Sequence, residues 1–506
     1  MKPQHCPVGR QQHGQASVWF LATLAACCCV FALVYNVGQV ANQKEATVNA
    51  ADAAALSGAL VEARMLNFEA YTNRAMIANE VTIAQLVSLD SWVQYDYEFT
   101  QWVANYTDII PYVDDILSSI ADAANEADQV VNTAVPGLIT GIEAVNTELW
   151  AAREAANLSG PVAANDIAAR IANANETTFG NRYDEQPQQV SSFVPVVLAL
   201  NEYNWNSFTD PYSDDNRGNA KSVILDSRDP FSTNRGSGTV LTVLNDALEG
   251  TGLASTLGTA YFDLSKTSGT TTLQDYNHWA AQDSLDWAVG SIKFCFVVIP
   301  CGYNTNVIPD GPPLAYGRAD ADSNGSTGIN LCNYKPTTTN CTLAVENANH
   351  IDWNGPEPNG NGIPNIRDLA QGLSRTDPCS TSNGSDSPSL SFVTAVQKAG
   401  KATETTQRLG MNTVDVPGPQ GSPQLTDNMQ NGDALTSISA ACTFFLRPDL
   451  NRKDITQGSL ARADGVHEYA SLYNPYWQAR LTKPDPGWTT TLYALIGQAG
   501  LNIATP

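Results

Sequence analysis

The run Val18–Val37, VWFLATLAACCCVFALVYNV, holds 20 residues and no charge. As a helix rising about 1.5 Å per residue it is about 30 Å long, the thickness of a bilayer's hydrocarbon core. Lys2, His5, Arg10 and His13 precede it, and the first charges after it, Lys44 and Glu45, cancel. The positive-inside rule then predicts a cytoplasmic N-terminus and an exported remainder. A cleavable signal has a shorter apolar region ending at a small-residue site, and this run has neither feature. Leu24-Ala25-Ala26-Cys27 has the form of a lipobox, yet the sequence stays apolar up to Val37, so Cys27, Cys28 and Cys29 read as small apolar helix residues. Phe294–Ile299 is apolar but too short to span. The chain reads as single-pass.

Lys and Arg total 27 against 51 Asp and Glu, a net charge of −24. Such a surface repels phosphate backbones, which excludes nucleic acid as the expected partner. It leaves the lipid bilayer to be met through the one apolar helix. Six cysteines, Cys295, Cys301, Cys332, Cys341, Cys379 and Cys442, fall in the exported part, an even number in a disulfide-permissive compartment. Short loops favour Cys295–Cys301 and Cys332–Cys341, leaving Cys379 with Cys442. A zinc site competes poorly, because no C-x-x-C and no nearby His pair is present.

Gln39–Tyr106 contains no proline and one glycine, Gly58. Met65, Phe68, Met76, Ile83, Leu86 and Val93 recur at helical spacing, which predicts that the membrane helix continues outward unbroken. Ala50, Ala54 and Gly58 lie four apart, as do Ala51, Ala55 and Ala59; such small-residue ridges let another helix approach closely. The aromatics Trp92, Tyr95, Tyr97, Phe99, Trp102 and Tyr106 read as core against a second helix. Val113–Ala174 is again helical, with breaks expected at Pro136-Gly137 and at Ser159-Gly160-Pro161, folding back on the first helix. Beyond about Thr177 Gly, Pro, Asn, Thr and Ser rise. Strands are expected at Val190–Leu200, Lys221–Leu225, Val240–Val243 and Ser291–Ile299, a helix near Leu273–Gly290, and loops at Pro336–Pro388 and Val414–Gln430. The predicted fold class is α+β. Residues 1–17 form a cytoplasmic tail, 18–37 the transmembrane helix, 38–176 a helical spine and hairpin, and 177–506 an irregular, disulfide-stapled exported domain.

Gly14-Gln15-Ala16, a single apolar span, and then NQKEATVNAADAAALSGAL (Asn42–Leu60) resemble the N-terminal segment of the TadE/TadG-like proteins of bacterial Tad (Flp) pilus assembly. ARMLNFEAYTNRAMIANEVTIAQ (Ala63–Gln85) resembles a subset with a large exported region. LDSRDPFSTNRG (Leu225–Gly236), HWAAQDSLDW (His278–Trp287) and LYNPYWQARL (Leu472–Leu481) are similar to that subset too. The resemblance implies a pilus-biogenesis role in the bacterial inner membrane, with the body in the periplasm or on the cell surface. It also implies partners among pilins or membrane-platform proteins. Processed pilins of this type carry Glu five residues after the processing Gly; Trp19 stands there, so an unprocessed, TadG-like anchor is expected. Some TadG-like proteins carry a metal-binding D-x-S-x-S motif, and Asp226-Ser227-Arg228-Asp229 lacks its second Ser.

Catalytic motifs are missing: there is no G-x-S-x-G, no H-E-x-x-H and no phosphate-cradling Gly-Lys loop. The exported histidines, His278, His350 and His467, stand far apart, and the expectation is a protein that is not an enzyme. Glu357, Asn359, Asn361, Asn365 and Asp368 occupy loop positions 1, 3, 5, 9 and 12 of a calcium-loop pattern, with Gly362 at 6. Asp320, Asp322 and Asn324 begin a second such loop, which Leu331 interrupts. Calcium is the one cofactor with any sequence support. The reading is therefore a pilus-assembly component, a minor pilin or a TadG-like accessory protein. Its alternatives are a tethered, calcium-dependent binding or adhesion module and, behind that, a tethered hydrolase using His278 or His467.

Overall fold

The computed structural model describes residues 15–106, 114–177, 194–210, 214–235, 260–273, 279–296, 299–307, 315–321, 363, 366–370, 373, 388–399, 434–447 and 470–484. Helix α1, Gln15–Tyr106, runs 92 residues without interruption, about 140 Å at a helical rise. The apolar segment and the long helix beyond it are thus one element, as the proline-free sequence predicts. Residues 16–37 are almost wholly exposed; burial by the chain's own elements sets in at Asn36, Gln43 and Thr47 and persists to Val103.

Helix α2, Asp114–Thr177, lies antiparallel on α1: Asn79 donates to Asn146, Arg153 to Asn73, and Asn157 to Glu69. The expected breaks do not occur. Pro136 and Pro161 lie inside one helix, although an interior proline costs about 3 kcal/mol. Packing overrides that cost: Val135 and Ile139 bury beside Met76 and Ile83, and Ala164 and Ala168 beside Ala54, Ala55 and Ala59.

The remainder supplies short helices and antiparallel sheets that lie on α1. Helix α3 is Val194–Phe208, α4 Asp214–Asp226 and α5 Pro230–Thr233, the last N-capped by Asp229, whose Oδ1 accepts from the Ser232 N–H. Strands β1 (Thr209–Asp210) and β6 (Asp368–Leu369) form a two-stranded ribbon. Strands β2 (Ala260–Leu273), β3 (Trp279–Phe296), β4 (Ile299–Val307) and β5 (Ala315–Ala321) form a second sheet, in which β3 pairs β2 along one edge and β5, then β4, along the other. Strands β7 (Ser389–Ala399), β8 (Ala434–Phe445) and β9 (Trp477–Thr482) form the third. The class is α+β.

Three local expectations are corrected. The Val190–Leu200 region is helical from Val194 on, because a helix buries Val197, Leu200, Trp205 and Phe208 against the third sheet and its neighbours. Lys221–Leu225 belongs to α4, whose Ala220 and Ile224, four apart, enter the core together. Of the helix expected at Leu273–Gly290, Trp279–Gly290 is strand: β3 pairs on both edges, and Trp279 and Ala281, two apart, enter one core cluster. Of Ser291–Ile299, Ser291–Phe296 is strand in β3 and Ile299 opens β4, as expected. Val240–Val243, Val414–Gln430 and most of Pro336–Pro388 lie outside the described residues.

Candidate functional site

The chemistry of the described residues concentrates on α1, where a polar seam alternates with apolar core. Glu62, Leu66, Glu69, Asn73, Met76, Glu80 and Ile83 recur at intervals of four and three, so they share one face, and all are buried. At its lower end Thr443 donates its hydroxyl to the Ala59 carbonyl at 2.9 Å and to Glu62 Oε2 at 3.4 Å. Asn67 clamps β9: its Nδ2 donates to the Trp477 carbonyl and its Oδ1 accepts from the Trp477 N–H, both at 2.9 Å. Trp477 in turn stands edge-on to Phe208 and Phe445, each 5.6 Å away. Asn73 donates to the carbonyls of Leu472 (2.7 Å) and Arg367 (2.9 Å) and accepts from Arg153 Nη1 (3.1 Å). Arg74 Nε donates to the Tyr473 carbonyl at 2.6 Å and Nη2 to Asn474 Oδ1 at 2.9 Å.

Higher up, Glu80 accepts from Trp279 Nε1 and from Asn146 Nδ2, both at 3.1 Å. Above it Ser91 donates to Asp283 Oδ2 at 2.7 Å, and the same buried carboxylate meets Arg235 at 2.8 Å and Lys266 at 2.6 Å. Arg235 also donates to the Thr271 hydroxyl, which shares a 2.6 Å hydrogen bond with Ser88. Arg228 donates to the Thr271 carbonyl. Strand β5 touches the helix backbone itself: a Cβ on Gly317 would sit 1.8 Å from the Ser91 carbonyl oxygen and 2.6 Å from the Tyr95 nitrogen. The three motifs of 225–236, 278–287 and 472–481 therefore converge on one helix.

Burial governs the electrostatics. It pushes the Glu62 carboxyl well up, Glu80 to about 8 and, against the opposing pull of Asn157, Arg153 and Arg367, Glu69 to about 7. Glu154 is desolvated too, yet its hydrogen bond from Arg367 and the charge of Arg153 hold it below the usual carboxylate range. Burial lowers the Lys266 ammonium, opposed by Asp283. Glu62 meets the Thr443 hydroxyl, Glu69 and Glu80 meet amides and an indole, and Glu154 meets cations. Chemically the seam fastens the body to the helix.

The small residues chosen from sequence are brought together. Ala50, Ala51, Ala54, Ala55 and Ala59 are buried against Ala164 and Ala168 of α2 and against Phe392, Val396 and Ala441 of the third sheet. A Cβ on Gly58 would lie 2.2 Å from the Phe392 ring. The ridges thus admit the chain's own sheet as well as its own helix. Of the aromatic group, Trp92 stands edge-on to Phe231 of α5, 6.3 Å away, while Tyr95 stacks on Phe99 and lies under Lys266 Nζ of β2, 4.6 Å from its ring centre.

Cys442 is buried on β8 and disulfide-bonded. Cys295 and Cys301 fall on the adjacent strands β3 and β4, while Cys332, Cys341 and Cys379 lie outside the described residues. So do His278, His350 and His467, the calcium-loop candidates Glu357, Asn359, Asn361 and Asn365, and Asp322 and Asn324 of the second loop. Asp368 lies on β6, where its Oδ1 accepts the Leu472 N–H at 2.8 Å. Among the described residues no three His, Cys, Asp or Glu side chains gather as a metal cage.

The described apolar segment of α1 is long and apolar enough to cross a membrane. It leads directly into the buried small-residue face, and this is the stretch with a recognisable relative. Residues 14–61 match the family model of putative Flp pilus-assembly TadE/G-like proteins. The TadE/G-like segment thus comprises the apolar run and the first seven or so turns that enter the body. No curated protein and no solved structure matches the chain.

The seam itself was missed from sequence. Its one signal is polar residues standing at positions of the apolar repeat: Glu62, Glu69, Asn73 and Glu80 interleaved with Leu66, Met76 and Ile83.

Proposed function

We propose that this chain is a non-catalytic component of Tad/Flp pilus assembly, held in the bacterial inner membrane by Val18–Val37 with its N-terminus in the cytoplasm. Its body occupies the periplasm or the cell surface and acts as a TadG-like accessory protein or a minor pilin. The observation that carries the reading is the TadE/G-like match over residues 14–61, which joins the apolar run to the spine in one helix. In this reading α1 is anchor and scaffold at once. The acidic body, part of a chain with a net charge of −24, presents the surface for adhesion or for steering assembly. Disulfides Cys295–Cys301, Cys332–Cys341 and Cys379–Cys442 staple the body in the oxidising compartment. The role needs no cofactor.

The test is a shear experiment on cells carrying a C-terminally tagged full chain, with a deletion strain imaged beside them. Pili lost on deletion, with the tag confined to membranes, identify an assembly factor; tag in the sheared filaments identifies a minor pilin. Normal pili without the protein overturn the pilus role.

A further inference from the structure

Outside the membrane-length segment, one side of α1 is left open by the described elements. Leu56, Leu60, Arg64, Phe68, Tyr71 and Arg74 follow one another at intervals of four and three, which draws a single stripe about 27 Å long. It points roughly 135° away from the buried Ala55, Ala59, Leu66 and Asn73. Leu56 is 36% exposed, Leu60 42%, Phe68 42% and Tyr71 62%. The stripe bears two arginines and no carboxylate: Asp52 accepts from Ser439, and Glu62 and Glu69 are buried on the opposite side. The stripe is thus basic and apolar in a chain of net charge −24.

We infer that this stripe docks a parallel helix of a second, different membrane-anchored protein, one apolar on its contact face and carrying a carboxylate level with Arg64. The inference rests on the anchoring of Val18–Val37. Because α1 leaves the apolar segment without a break, a helix rising from the same membrane runs alongside it for the length of the stripe. Charge selects the occupant. A parallel two-fold pairing of this chain sets Arg64 against Arg64 with no acid on either stripe to offset them, and draws two acidic bodies together. Arg74 is already held by Tyr473 and Asn474, so Arg64 is the cation the partner reads, as a charge-assisted and geometrically specific contact. Phe68 and Tyr71 supply the aromatic anchors that such interfaces favour.

The test places a photo-crosslinking side chain at position 60 or 68 of the full chain in cells, with position 130 on the exposed side of α2 as the control site; Val130 is 66% exposed. The expected result is one adduct from 60 and 68, absent from 130, mapping to a helix just outside the membrane span of another protein. Arg64→Glu lowers its yield at least tenfold, and Lys in place of the partner's carboxylate restores it. An adduct with a second copy, equal capture from position 130, or no adduct from chain that fractionates with membranes and melts normally overturns the docking while leaving the anchor intact. Release of the chain by alkaline carbonate overturns the anchor, and the parallel geometry with it.

Discussion

Glu69 holds its carboxyl inside the α1–α2–body junction, with Oε1 accepting from Asn157 and the charges of Arg153, Arg367 and Glu154 around it. Its folded value, about 7, lies above the 4.5 of the free group, and Glu62 and Glu80 are raised in the same direction. The sign follows. A carboxyl that binds its proton more tightly when folded contributes stability below about pH 4.5, and loses that contribution as pH rises through the folded value. Glu154 and Asp229 are lowered, so their contributions change at and below the ordinary carboxylate range. Between pH 5 and 8 the raised group decides the slope. The thermal midpoint is expected to fall across that window, and Glu69→Gln to flatten part of the fall; an unchanged slope in the variant counts against this account. At Asn67 the issue is satisfaction, not charge. Asn67→Ala leaves the Trp477 N–H and C=O without their partner, at about 1–3 kcal/mol for an unpaired buried group. Urea unfolding should show a loss of about 2 kcal/mol, with Asn67→Asp, which keeps the acceptor for the N–H, losing less.

At the scale of elements, strand β5 against α1 is the closest approach, and only hydrogen fits at Gly317. Gly317→Ala has to push the strand from the helix, and overpacking of this kind costs about 1–3 kcal/mol or more. Gly137 and Gly141 of α2 face open space, so alanine there should be neutral or stabilise by about 0.5–1 kcal/mol through helix propensity. A paired set of melts decides it: similar shifts at Gly317 and Gly137 would contradict the packing described. The same contrast explains what the sequence revealed. Helix α1 was legible because its period is its own, with apolar residues at helical spacing and no proline over Gln39–Tyr106. Strand β3 was not: Trp279-Ala-Ala-Gln-Asp reads as helix former, and its strand state is imposed by pairing to β2 and β5. Likewise α3 and α4 contain β-branched runs that tertiary burial turned helical. The seam was half legible. Its polar residues interrupt a visible apolar repeat, but their partners, such as Leu472, 399 residues beyond Asn73, become neighbours only in the fold. Asn67 on β9 and Asn201 on β7, whose carboxamide bonds both the N–H and C=O of Val393 at 3.0 Å, further show a shared device. Each covers an edge of the third sheet with a side chain that imitates a strand.

For the whole molecule the consequence is that the body is not hung from the apolar segment by a linker. Val37 and Gln43 lie about 9 Å apart along one helix, and by Gln43 the body has begun: Lys398 of β7 donates to that side chain. From there to Arg318, whose N–H donates to Gln94 at 2.8 Å, each larger sheet is built on α1. Cutting the chain at the compositional boundary near Thr177 removes the surface that the sheets cover, and with it the α1 partners of Asp283, Trp279, Trp477, Leu472 and Thr443. A fragment of 177–506 is therefore expected not to fold, showing no cooperative melt and rapid proteolysis. The fragment 38–506 retains all of these contacts and should melt cooperatively, near the full chain in detergent. Produced in an oxidising compartment and compared by circular dichroism and limited proteolysis, a cooperative 177–506 fragment would show that the sheets need no spine, and an unfolded 38–506 fragment that the body depends on the apolar segment too.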